Sequence, residues 1–217
     1  MSIRISIYDF FAYTIPGGLY LFTVIYICTI LGIIQIDWLS LDLPIAQMIV
    51  IAGLAYITGL IFDPIAKLWY RLFKPENFSD SVLKEFEQLH PSLKIKFRAS
   101  DWTILLAQIR RESIDLATEI ERSHASHIML RNISLGLMLL SLVQVMLFVL
   151  RSLPVHLILG IIFVLSSVIA GKESVKFAKW FYLGIFESIV ARSFRVSDIA
   201  QYGQESSQLE RIDAPEP

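Results

Sequence analysis

Four apolar runs, at residues 15–36, 43–62, 132–150 and 155–171, leave this chain few ways to fold. Each approaches the roughly 20 residues that a helix needs to cross a hydrocarbon layer about 30 Å thick, the fourth being the shortest. No water reaches backbone N–H and C=O groups inside that layer, so runs of this length cross as helices. The sequence therefore predicts an all-α polytopic membrane protein with four transmembrane helices and a cytoplasmic helical extension. A hydrophobic share of 55% agrees, being above what soluble chains usually carry.

The segments between the runs set the expected organisation. Residues 1–14 place Ile3, Ile7, Phe10 and Phe11 on one side of a helix suited to lying at the membrane interface. Pro16, Gly17 and Gly18 then predict a bend, a hinge between that helix and the transmembrane hairpin that completes residues 15–62. No small-x-small cleavage site follows the first run, so it is expected to stay as an anchor, and neither end carries a lipidation motif. The second run should stop at Asp63-Pro64, with Lys67, Trp69, Tyr70, Arg71 and Lys74 as interfacial anchors beyond it.

Residues 63–131 are polar enough to lie outside the bilayer, with a short helix near 79–89 and a break at His90-Pro91. From Asp101 to Leu150 a charged helical pattern passes into an apolar one without proline, which predicts a single helix about 75 Å long at 1.5 Å per residue. Its positions Trp102, Leu106, Ile109, Ser113, Leu116, Ile120, Ser123, His127 and Leu130 alternate in steps of four and three, a coiled-coil-like seam. That seam fits self-association and packing on the 79–89 helix equally well. Residues 132–171 form the second transmembrane hairpin and 172–202 an amphipathic helix with Val175, Tyr182, Phe186 and Ile189 on one side. Residues 203–217 read as a disordered tail.

The 19 Lys and Arg against 20 Asp and Glu nearly cancel, but their placement fixes an orientation. Eleven of the basic residues fall between 63 and 131, six follow 171, and Arg4 begins the chain, leaving Arg151 for the other side. Basic residues concentrate on the cytoplasmic side, so both termini and the central segment are expected there. The lone cysteine, Cys28, excludes an intrachain disulfide.

Candidate chemistry is sparse. Glu121-x-x-His124, with His127 three residues on, and Glu87-x-x-His90 have the spacing that di-metal bundles use. Two further inward acids are missing, so no metal site is assigned, and Glu121, His124 and His127 stand as its only candidate ligands. There is no phosphate-binding loop, nucleophile elbow or dinucleotide fingerprint, hence no expected cofactor and no support for nucleotide or nucleic-acid binding. The apolar runs hold no Asp, Glu, Lys or Arg between their ends, which counts against a membrane enzyme or coupled transporter. Gln144, the most central polar side chain, and Ser141 are expected to make a bundle or pore contact. Ala55/Gly59, Ser166/Ala170 and Ser167/Gly171 are pairs at four-residue spacing that permit close helix packing, within or between chains. Lys67, Arg71, Lys74, Lys94, Lys96 and Arg98 are candidate contacts for anionic lipid or a partner.

Tyr8-Asp9 followed by Pro16-Gly17 at the head of the first span, and Arg131-Asn132 opening the third after a long charged helix, resemble a set of small uncharacterised bacterial four-span proteins. Members of that set are often encoded beside anti-phage systems, CRISPR loci included. The resemblance implies an accessory or effector protein in which a cytoplasmic cue reaches the bundle, and the bundle responds by oligomerising or perturbing the membrane. The expected partners are the lipid bilayer, further copies of the chain and a cytoplasmic protein. A constitutive scaffold or channel subunit is the alternative, and a membrane enzyme with a cytoplasmic-side metal site the third.

Overall fold

A computed structural model describes residues 7–35, 44–90 and 98–191. These form six helices: α1 (Ile7–Ile30), α2 (Ile45–Tyr70), α3 (Phe78–Leu89), α4 (Trp102–Glu112), α5 (Ile114–Arg151) and α6 (Pro154–Ala191), with a 3₁₀ turn at Ala99–Asp101. There is no strand among the described residues. Helices α1, α2, α5 and α6 are each long and apolar enough to cross a membrane. The chain is a multi-pass membrane protein of all-α class.

Several helix ends differ from expectation. Helix α1 continues through Pro16-Gly17-Gly18 instead of ending there. Pro16 is fully buried inside the helix although it lacks an N–H to donate, and Gly17 packs against the α2 backbone rather than turning the chain. Helix α2 likewise continues past Asp63-Pro64 to Tyr70, so Asp63 lies inside a helix and not at its end. The fourth span and the described part of the amphipathic segment after it, 172–191, are one element, α6, while residues 192–202 lie outside the described residues.

The single helix expected from Asp101 to Leu150 is two. Ser113 adopts an extended conformation (φ −151°, ψ 105°) between α4 and α5. Its N–H bonds the Ile109 carbonyl at 2.8 Å, closing α4, and its hydroxyl accepts from the Leu116 N–H at 3.4 Å, capping α5. Serine competes for backbone groups in this way, which the apolar periodicity on either side conceals.

The chain divides into two compact units. Residues 77–120 and 180–217 make one, whose core gathers Leu83 and Phe86 of α3, Leu105 and Ile109 of α4, Ile120 of α5, and Phe181, Ile185, Phe186 and Ile189 of α6. The seam positions Trp102, Ile109, Leu116 and Ile120 serve this core, packing within the same chain. Residues 203–217, with Lys94, Lys96 and the stretch before Ile7, lie outside the described residues.

Residues 1–76 and 121–179 make the other unit, a four-helix bundle. Its α1 and α2 meet through small residues. A Cβ on Gly17 would strike the Ala55 carbonyl, and one on Gly59 would strike the carbonyl of Tyr13. Around this crossing Phe10 stacks on Tyr56 (5.5 Å) and Tyr20 on Phe62 (4.5 Å). The outward surface is apolar, with Leu142, Val149, Ile158, Ile161 and Leu165 all exposed, as a lipid-facing surface requires.

Candidate functional site

Polar side chains inside the bundle collect in two layers. The first is built around Asp63 on α2, which is buried despite its charge. Its Oδ1 receives Arg131 Nη2 at 2.5 Å and Asn132 Nδ2 at 3.2 Å, both from α5, while Lys67, one turn along α2, reaches Oδ2 at 2.8 Å. Adjacent residues on α5 thus supply a charged and a neutral donor to one oxygen. Tyr20 of α1 donates to the Asn132 carbonyl at 2.7 Å, bringing a third helix to the layer.

Burying one carboxylate costs several kcal/mol unless its lone pairs are met, and here three donors meet them. Arg131 is equally buried, whereas Lys67 is 61% exposed at its side chain. The three formal charges sum to one positive, with Lys67 carrying that excess toward the surface. Arg131 Nε has no hydrogen-bond partner among the described residues.

Depth follows from helix rise. Arg131 precedes Arg151 by 20 residues, Ser174 follows Pro154 by 20 and Asp63 follows Ile45 by 18, or about 27–30 Å of helix in each case. The charge layer therefore sits one hydrocarbon thickness from the α5–α6 turn, where headgroups begin. There an ion pair can be kept without the penalty it would meet at mid-bilayer.

Neutral pins extend the layer. Trp69 Nε1 donates to Ser134 Oγ at 2.9 Å, and Ser134 and Ser167 donate to each other's carbonyls at 2.8 and 2.7 Å. His127 Nδ1 lies 3.0 Å from the Ser174 carbonyl, so that nitrogen carries the proton, and Ser174 Oγ donates to the His127 carbonyl at 3.0 Å. The His127 ring also meets Tyr70 edge-on at 5.0 Å. His127, a candidate ligand for a metal site that the sequence does not assign, is thus a clasp between α5 and α6. Glu121 and His124 are only half-buried, and no group of three or more His, Cys, Asp or Glu side chains is placed to hold a metal among the described residues. Ser174→Ala should remove the clasp and lower the unfolding free energy by about 1–2 kcal/mol, as read by denaturant titration in detergent, with no change in bound zinc.

The second layer lies farther along the same helices. Gln144 Nε2 donates to the Tyr26 hydroxyl at 3.3 Å, His156 Nδ1 faces Gln144 Oε1 at 2.8 Å, and Ser141 Oγ donates to the Gly160 carbonyl at 3.0 Å. Gln144 and Ser141 are therefore satisfied inside the chain, tying α1, α5 and α6 together.

The remaining expected positions divide. Ala55 and Gly59 are buried in the α1–α2 contact. In the fourth span Ser167 and Gly171 are the packed pair, Gly171 lying against the Phe73 ring; Ala170 is buried and Ser166 half-buried. Lys67 joins the charge layer, while Arg71, Lys74 and Arg98 lie at the surface.

Sequence reasoning did not find the charge layer. Asp63 and Arg131 both flank apolar runs, one at each side of the same connecting segment, and that symmetry was the available signal. It was spent on marking span ends, because Asp-Pro is a strong helix stop in water. With these contacts in place, no protein-family model, curated protein or solved structure matches the chain.

Proposed function

We propose that this chain is a non-enzymatic effector or accessory protein of a bacterial inner membrane, with both termini cytoplasmic, that turns a cytoplasmic cue into membrane perturbation through assembly. One observation carries the reading: apart from Lys67, whose side chain reaches the surface, the polar groups of the two layers point into the bundle, and α5 and α6, which reach both layers, respectively begin and end in the other compact unit. A bundle built this way rests closed. Opening it requires exchanging internal hydrogen bonds, which a signal delivered along α5 or α6 can drive only through differential affinity for the two states. The excess of basic residues between 63 and 131 supports the orientation, and the likeness to defence-associated four-span proteins supports the class.

A constitutive scaffold that anchors a cytoplasmic partner is the second reading, favoured by the intrachain satisfaction of Gln144 and Ser141. Expression in bacteria loaded with a membrane-potential dye separates the two. Depolarisation on induction, abolished by Gln144→Leu, supports the effector. A normal potential with a cytoplasmic protein that co-purifies stoichiometrically overturns it in favour of the scaffold.

A further inference from the structure

We propose that a second copy of this chain packs on α2 along a seam of Gln47, Val50, Leu54, Ile57 and Ile61, with the two Gln47 amides hydrogen-bonded to each other across a twofold axis normal to the membrane. The inference deepens the assembly reading above and rests on it only in taking the chain to oligomerise.

Among the four long helices, α2 has the smallest buried share of its apolar stretch. What it does bury (Ala55, Gly59, Asp63, Ala66 and Tyr70) lies on one side. The five seam residues recur in steps of three and four on a side turned away from that one, and all are exposed. The helix is held by the charge layer and by the Gly17–Gly59 crossing, but it contributes nothing to the second polar layer, where α1, α5 and α6 join.

The polar side chain that α2 carries near that level is Gln47, and it faces outward. Gln47 precedes Asp63 by 16 residues, about 24 Å of helix from the charge layer and so inside a hydrocarbon layer of about 30 Å. Its side-chain carboxamide makes no hydrogen bond to another described residue, although its backbone N–H bonds the Pro44 carbonyl. Lipid tails cover the rest of the seam equally well but offer an amide nothing. A carboxamide is its own complement, donor and acceptor together, so an identical helix supplies what lipid lacks. A single polar residue in an otherwise apolar seam also fixes register and copy number.

Two further features point to a partner helix. Gly53, beside the seam, has nothing in this chain within 4 Å of where a Cβ would stand, as is also true of Gly18 and Gly32. Glycine weakens a helix relative to alanine, and in the proposed interface Gly53 leaves room for the partner's backbone. Next to it, a shallow apolar recess of about 410 Å³ is lined by Ala46, Gln47, Val50 and Ile51, open on the outer side of α2.

Cysteine cross-linking in native membranes tests this. Cys28 is the sole cysteine, so single cysteines can be read in a Cys28→Ala background. Oxidation should give disulfide dimers for Gln47→Cys, Val50→Cys, Leu54→Cys and Ile57→Cys, and none for Met48→Cys or Ile49→Cys, which are exposed on the same turns but off the seam. Equal cross-linking at 49 and 50 means random collision and overturns the proposal. Dimers formed through Val149→Cys but not through α2 overturn this interface and leave the assembly reading intact. Monomers throughout, in membranes that still depolarise, show action without this contact and also overturn it. In detergent, Gln47→Leu should weaken dimerisation about three- to tenfold and Gln47→Asn less, as for one interhelical amide bond in a membrane.

Discussion

Asp63→Ala should cost the folded bundle about 3–5 kcal/mol and be the most damaging single substitution within the membrane unit. It leaves Arg131, buried on α5, with no carboxylate in reach among the described residues. The reciprocal change is expected to be milder. In Arg131→Leu the Asp63 carboxylate keeps Lys67 on one oxygen and the Asn132 amide on the other, so its charge stays compensated. Because a buried ion pair gains little net stability over apolar groups of similar size, the double variant Asp63→Leu with Arg131→Leu should recover most of the loss. Denaturant titration of purified protein in detergent, at fixed detergent-to-protein ratio, gives the three values. Equal losses for the two single variants, or a double variant as unstable as Asp63→Ala, would show that the asymmetry supplied by Lys67 is not what holds the layer.

That asymmetry bears on function. The pair joins α2 to α5, and α5 is the helix that starts in the other compact unit. If the bundle opens on a cue, the double Leu variant removes the polar exchange that opening requires, and it should be stably folded yet silent in the dye experiment. Stability and activity then part company, which a purely structural role for the pair does not predict.

The class of fold was legible because it depends on run length and composition, and four long apolar runs admit one answer. Helix α3 was legible for a related reason: its apolar positions Val82, Leu83 and Phe86 recur at helical spacing and are buried, and it ends at Leu89, where the expected break at His90-Pro91 would put its end. What was not legible were positions where tertiary context overrides local preference. Pro16 and Pro64 are helix breakers in water, yet both sit inside helices here, Pro16 buried and Pro64 exposed. Ser113 worked the other way, breaking a pattern with no proline or glycine to announce it, by supplying its own cap. The partners of Gln144 were out of reach for a different reason. Tyr26 and His156 lie 118 and 12 residues away, and only the packed bundle reveals that one amide is shared between them.

Glycine substitutions at the α1–α2 crossing should change sign within two residues of sequence. At Gly17 an added Cβ meets the Ala55 carbonyl and comes within 2.8 Å of the Gly59 nitrogen, and at Gly59 it meets the Tyr13 carbonyl oxygen and stands 2.9 Å from that carbonyl carbon. Backbone cannot rotate aside as a side chain can, so either alanine must push α1 from α2, at about 1–3 kcal/mol for overpacking. Gly18 has nothing within 4 Å of its Cβ position. There alanine meets no obstacle and removes the glycine penalty, so Gly18→Ala should be neutral or stabilising by up to about 1 kcal/mol. Because Gly17 and Gly59 share one contact, Gly17→Ala combined with Gly59→Ala should cost clearly less than the sum of the two: once the helices have parted, the second methyl finds room. The same detergent titration reads all four variants. A destabilised Gly18→Ala, or strict additivity of the other two, would mean that α1 and α2 do not cross through these glycines. The chain would then need another explanation for carrying two glycines in succession after a proline in the middle of a membrane-spanning helix.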